Sequence, residues 1–205
     1  MATMRNRHID GNMHPSPIIN LPSELFLQIL ENISDIGYLW ATVRLVSKSF
    51  KIHTERVFQS SHLPTLSISL SLPRYDPATG TLRYRGYVPQ TEVTLRYASL
   101  DQGNRRVVMA TSTMAPNGES MADLKAAGVL SVQRLEEATI WVWFGRNRGK
   151  GVGMENLGNI RWDDEQKIWF WGVEWKKLVK AYFEAKGSKR RSQRNLVRRA
   201  RHGGP

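Results

Sequence analysis

Between Leu63-Pro64 and Pro73 the chain reads Thr65-Leu66-Ser67-Ile68-Ser69-Leu70-Ser71-Leu72, a strict alternation of aliphatic and hydroxyl side chains. Successive side chains of a strand point to opposite faces, so a strand puts Leu66, Ile68, Leu70 and Leu72 on one face and every hydroxyl on the other. A helix would scatter the same aliphatics around its axis. The segment therefore fixes a β-sheet with one apolar face, and the rest of the chain must supply its neighbours and its cover.

Candidate neighbours follow in order. Strands are expected at 82–88, 93–100, 105–113 and 139–144, then a pair at 159–162 and 167–171 around the turn Asp163-Asp164-Glu165-Gln166. Pro73, Asp76-Pro77, Thr79-Gly80, Asp101-Gln102-Gly103 and Pro116-Asn117-Gly118 punctuate them as turns. Trp175, Leu178, Val179, Tyr182 and Phe183 recur at helical spacing and close the domain with one helix. Upstream the period is that of a helix. Leu25, Phe26, Ile29, Leu30 and Ile33 fall on one face, Pro22 suits a first turn, and Gly37 marks a break. Leu39, Trp40, Val43 and Val46 form a second stripe, and Phe50, Val57 and Phe58 a third. The fold class is α+β. A flexible arm at 1–19 precedes a three-helix module at 20–62, a mostly antiparallel sheet domain at 63–186 and a disordered tail at 187–205.

Charge is concentrated at the C-terminus. Lys186, Lys189, Arg190, Arg191, Arg194, Arg198, Arg199 and Arg201 supply eight of the net twelve positive charges, with no acid after Glu184, which leaves +4 for the rest of the chain. Such a run cannot bury enough apolar area to offset chain entropy and is expected to be disordered, or at most a frayed helix around Leu196 and Val197. Lys189-Arg190-Arg191 and Arg198-Arg199 fit a nuclear import signal. The mildly basic body, with no obvious basic helix or strand to read bases, argues against a nucleic-acid partner.

Catalytic chemistry finds little support. The chain has no cysteine, which excludes disulfides, thiolate metal sites and cysteine nucleophiles. Its five histidines form no His-Glu-x-x-His pattern. The stretch Gly145-Arg146-Asn147-Arg148-Gly149-Lys150-Gly151-Val152-Gly153 has one residue too few for a phosphate loop, and Gly151 stands where that loop needs a hydroxyl. Met154 occupies the third glycine of a dinucleotide fingerprint, so the stretch reads as a mobile loop. Asp163-Asp164-Glu165 reads as a hairpin turn with solvated charges. No catalytic residue, metal or cofactor is expected. Apolar runs fall short of the roughly 18 residues that cross a bilayer, so no membrane partner is expected, and the location is cytoplasmic or nuclear. Four indoles remain: Trp141 and Trp143 share one strand face, Trp169 and Trp171 another. Both pairs suit a core, or one of them a target-binding surface.

The helical module carries a resemblance. Leu21-Pro22-Ser23-Glu24-Leu25, Ile29-Leu30, Leu39 and Leu45-Val46-Ser47-Lys48-Ser49-Phe50 follow an ordered pattern that resembles the F-box, in the form common in filamentous fungi. The resemblance implies a substrate receptor of an SCF-type cullin ubiquitin ligase. The F-box would dock on the adaptor subunit, and through it a cullin, while residues 63–186 present an unidentified target protein. By motif position the adaptor contacts would be Leu21, Pro22, Leu25, Ile29, Leu30, Leu45, Val46 and Phe50. Two other readings stand beside it: an F-box interaction module outside a ligase, and a basic nucleic-acid-associated protein.

Overall fold

A computed structural model describes residues 21–72, 92–145 and 151–202, from 189 onward as backbone. The N-terminal arm, the turns at 73–80, the strand expected at 82–88 and the middle of the glycine-rich stretch lie outside the described residues. The fold is α+β and divides into two compact units, Met1–Val57 and Phe58–Pro205.

The first unit holds α1 (Ser23–Glu31), α2 (Ile36–Ala41), a 3₁₀ turn (Val43–Leu45) and α3 (Lys48–Val57). Asp35 starts α2, its carboxylate accepting the N–H groups of Gly37 at 2.9 Å and Tyr38 at 3.1 Å. Phe26, Leu30, Leu39, Trp40, Val43 and Val57 make the core. The ring of Phe26 meets Phe50 edge-on at 4.6 Å. Arg44 ties the 3₁₀ turn to α3, donating from Nε at 3.0 Å and Nη2 at 2.8 Å to Glu55, and its guanidinium lies 4.4 Å over the Trp40 ring.

Two expected stripes divide here. On α1 only Phe26 and Leu30 turn inward, while Leu25 and Ile29 face solvent. Val46, expected in line with Leu39, Trp40 and Val43, is exposed because the 3₁₀ turn winds more tightly than an α-helix and shifts the stripe. The boundary between units also falls earlier than the change of period at residue 63. Phe58 and Leu63 are fully buried, and the Phe58 ring stacks 6.5 Å from Trp175 of the second unit's closing helix.

The second unit is a seven-stranded antiparallel sheet in the order β5-β4-β1-β2-β3-β7-β6. The strands are β1 (Ser67–Ser71), β2 (Glu92–Leu100), β3 (Arg106–Ala110), β4 (Thr139–Trp143), β5 (Val152–Met154), β6 (Asn159–Asp163) and β7 (Ile168–Glu174). β1 lies inside the sheet, paired with β2 on one side and β4 on the other. Its aliphatic set meets Val93 and Leu95 of β2 and Ile140 and Val142 of β4, all buried. Met109, Val107, Trp171, Trp169 and Val173 continue this apolar face across β3 and β7.

Three helices complete the unit: α4 (Met121–Ala126), α5 (Val132–Glu136) and α6 (Trp175–His202). Ser120 and Ser131 cap the first two through their hydroxyls. Neither short helix, nor β5, is anticipated by periodicity, since each is too short to display a period. Trp175, Leu178, Val179 and Tyr182 bury one stripe of α6, and Phe144, following β4, meets Tyr182 at 4.9 Å. Arg134 of α5 is buried and donates to the Val129 carbonyl at 2.6 Å; desolvation lowers its pKa below the ordinary arginine value. α6 does not stop at residue 186. Its backbone is helical to His202, about 42 Å for the whole of α6 at 1.5 Å per residue, over a segment whose sequence reads as disordered or at most a frayed helix around Leu196 and Val197. Packed first turns supply the nucleus, and Arg, Lys, Gln, Leu and Ala carry the helix on with no proline before its end.

Two glycines test this packing with opposite sign. A Cβ at Gly158 would overlap the indole of Trp171, whose Nε1 donates to Asn156 at 2.8 Å, so Gly158→Ala should destabilise by about 1 to 3 kcal/mol. Gly187, inside α6, has open space around its Cβ position, so Gly187→Ala should stabilise by about 0.5 to 1 kcal/mol. Urea unfolding of both variants checks the pair, and equal effects would contradict the packing.

Candidate functional site

The adaptor-contact residues expected from the sequence divide into two groups. Leu21, Pro22, Leu25, Ile29, Leu45 and Val46 are exposed, Leu45 at 71% and Val46 at 63%. Leu21, Leu25 and Ile29 follow each other at intervals of four along and just before α1, which aligns them on one helical face. Leu30 is buried, and Phe50 is half-buried against Phe26. Leu30 belongs to the core of the unit, and Phe50 covers part of its ring against Phe26. Tyr38 and Ile52 are also exposed apolar residues of this unit, which the motif alone does not mark.

The four indoles likewise separate. Trp169 and Trp171 lie in the core, which removes them from any binding surface. Alternation turns Ile140 and Val142 of β4 inward, so Trp141 and Trp143 face the other way; Trp141 is 37% exposed and Trp143 half-buried. Both indoles lie across glycines beside or within β5. A Cβ at Gly153 would sit 3.4 to 3.5 Å from three ring atoms of Trp141, and one at Gly151 would sit 2.6 to 2.8 Å from three atoms of Trp143. Three nearly equidistant ring atoms mean that each ring presents a flat face to the glycine backbone. Gly151 and Gly153 thus work as a seat for indoles, and the stretch expected to be a mobile loop ends in a paired strand.

Cross-strand register extends this outer face. Trp143, Ser67, Arg96, Ala110, Phe170 and Arg161 stand side by side through six strands, about 24 Å at the usual strand spacing. Beside this row run Trp141, Ser69 and Thr94. Ser69 hydrogen-bonds Glu92, and the Arg161 guanidinium covers the Phe170 ring at 4.9 Å. Arg96 is exposed and, among the described residues, pairs with no carboxylate. A cleft of about 590 Å³ opens beside it, bounded by Thr94, Tyr97, Ala110, Thr111 and Ser112. The signal for Arg96 was present in the sequence as the polar partner of Val93, Leu95 and Tyr97 in an alternating strand.

The acidic turn holds itself together. Asp163 Oδ1 accepts from the N–H groups of Glu165 at 3.1 Å and Gln166 at 2.8 Å, while Asp164 accepts from Trp162 Nε1 at 2.8 Å. Lys167 closes the turn with φ of 57°. Among the described residues no three acidic or histidine side chains converge as metal ligands, and no helix is long and apolar enough to cross a membrane. Lys189, Arg190, Arg191, Arg198 and Arg199 fall on the helical backbone of α6. No protein-family model, no curated protein and no solved structure matches the chain.

The two indole environments predict distinct costs. Trp171→Ala empties a fully buried site and should cost about 3 to 5 kcal/mol, whereas Trp141→Ala should cost roughly 1 kcal/mol. Denaturant midpoints of the two variants measure the gap; equal losses would place Trp141 in the core.

Proposed function

We propose that this chain is a substrate receptor whose helical unit docks on the adaptor subunit of an SCF-type ubiquitin ligase, leaving the sheet unit to capture a target. What supports the reading is one observation: a unit of only 57 residues keeps Leu21, Leu25, Ile29, Leu45 and Val46 in solvent after its core is filled. Small domains have little apolar area to spare, and aliphatic side chains left outside one are covered when a partner arrives. These are also positions at which the F-box pattern of the sequence meets its adaptor. Burial of each aliphatic side chain is worth about 1.5 to 3 kcal/mol, so a few anchors suffice for a specific complex. Leu30 and Phe50 contribute indirectly, by holding α1 on α3. Ubiquitin transfer in such an assembly belongs to other subunits, and this chain supplies recognition alone.

Co-expression with the adaptor and size-exclusion chromatography tests the proposal. The variant Leu25→Ala with Ile29→Ala should bind the adaptor at least about a hundredfold more weakly, near 2.7 kcal/mol, with its own folding nearly unchanged because both side chains are exposed. Leu30→Ala should instead lower stability by about 2 to 5 kcal/mol, as expected for a buried leucine. A wild-type chain that is folded, monodisperse and indifferent to the adaptor would overturn the reading.

A further inference from the structure

We infer that the sheet unit holds the C-terminal end of an extended peptide, in the slot where β3 parts from β2, with Arg96 receiving the terminal carboxylate. The inference deepens the receptor reading and rests on it for its purpose, since it names the class of target that the sheet unit captures. Its test omits the adaptor, so each can fail without the other.

The slot follows from unequal strand lengths. β2 runs for nine residues and pairs with β1 along 92–96, but β3 meets it only from Arg96, opposite Ala110, to Leu100, opposite Val107. Past Ala110 the chain turns to β7 instead. The Thr111 N–H donates to the Trp169 carbonyl at 3.0 Å, and the Trp169 N–H donates to the Thr111 hydroxyl at 3.1 Å rather than to a carbonyl. Val93, Thr94 and Leu95 therefore have, among the described residues, no strand on that side. Alternate residues of an antiparallel strand aim their N–H and C=O groups to opposite sides, so this stretch keeps a short open ladder, about 10 Å long, inside the sheet. An extended backbone can add to such a ladder whatever its side chains.

The groups around the slot suit one anion. The cleft of about 590 Å³ at this place is lined by Thr94, Arg96, Tyr97, Thr111 and Ser112, with no acid among its lining residues. Thr111 is only 6% exposed, and while its oxygen takes the Trp169 N–H, its own hydrogen meets no acceptor among the described residues. Arg96 is likewise without an acceptor there. The carboxylates nearby in sequence are engaged: Glu92 by Ser69, Glu119 by Asn117 and Asp123 by Ser120. Glu92 also stands about 13 Å from Arg96 along the strand. A guanidinium and a buried hydroxyl donor together hold a carboxylate well, and Ala110, Pro116 and Met121 add an apolar wall for the side chain beside it.

Position decides which part of a peptide arrives. Arg96 stands level with Ala110, where β3 takes the next rung of the ladder, so a strand that fills the slot must end or turn away at that point. Free guanidinium donors at the stop favour an end, and a carboxylate end over an ammonium one. The peptide then runs parallel to β2. A small free carboxylate would use Arg96 and Thr111 but leave the open ladder idle, and an internal segment would bring no anion to Arg96.

The test presents the full chain with a pool of octapeptides randomised over their last four positions, once as free C-terminal acids and once as C-terminal amides, and identifies the retained peptides by mass spectrometry. The acid pool should yield peptides with an apolar last residue, and the amide pool none. The best retained peptide, labelled at its N-terminus, then reports affinity by fluorescence polarisation. Its amide should bind about tenfold or more weakly, Arg96→Gln should cause a similar loss, and Arg96→Lys should restore part of it. Both variants should keep the wild-type urea midpoint because Arg96 is exposed, which separates lost binding from lost folding. The N-acetylated last residue alone should compete at least about a hundredfold less well than the peptide. Four results would each overturn the inference: no enrichment from the acid pool, equal retention of amides, which marks a strand edge that takes internal segments, equal competition by the N-acetylated residue, which marks a site for small carboxylates, or indifference to Arg96→Gln.

Discussion

Everything in the larger unit depends on the two-faced character of β1. Its aliphatic residues join Val93, Leu95, Ile140 and Val142 in a continuous apolar surface that must be covered, and α6 provides the stripe of Trp175, Leu178, Val179 and Tyr182. The same register puts Ser67, Ser69, Thr94 and Arg96 on the opposite face, where Ser69 is buried and Arg96 reaches solvent. A shift of one residue in that pairing would exchange the faces completely. The apolar character of one face and the polar character of the other are thus one constraint seen from two sides.

That constraint also explains why Trp141 and Trp143 are tolerated outside. Large aromatics on a solvated sheet face would expose both ring surfaces, but the two glycines of the neighbouring strand let the rings lie down on backbone. One face of each ring is thereby covered by backbone. The helical unit solves its own problem differently. Phe26, Leu30, Leu39, Trp40 and Val43 close a small core, and of the aliphatics left over Leu25 and Ile29 share one side of α1.

Much of this was legible in the sequence. Long alternating or helical patterns placed β1, β2, β3, β4, β6, β7 and the start of α6, because burial on one face imposes a period that survives in the residue order. The hairpin at Asp163 and the turn at Asp101 were legible through their side-chain chemistry; Asp101 Oδ1 accepts from Arg105 and Arg106 N–H groups at 2.7 and 2.9 Å. What escaped were features decided by neighbours distant in sequence. Nothing local tells that Trp171 is buried and Trp141 is not, or that Gly153 has an indole above it. The split of Leu25 from Phe26 escaped for a related reason: both are apolar, and only the position of α3 decides which one is covered.

The ends of the sheet bear on how such a molecule behaves at high concentration. Among the described residues the outermost strands are β5, of three residues, and β6, of five, which carries Arg161 and Asp163. An unpaired strand border is a template on which another chain can add its own hydrogen-bond ladder, and short, charged borders offer that chain few rungs. Among the described strands, the borders of this sheet therefore give an incoming chain little backbone to pair with.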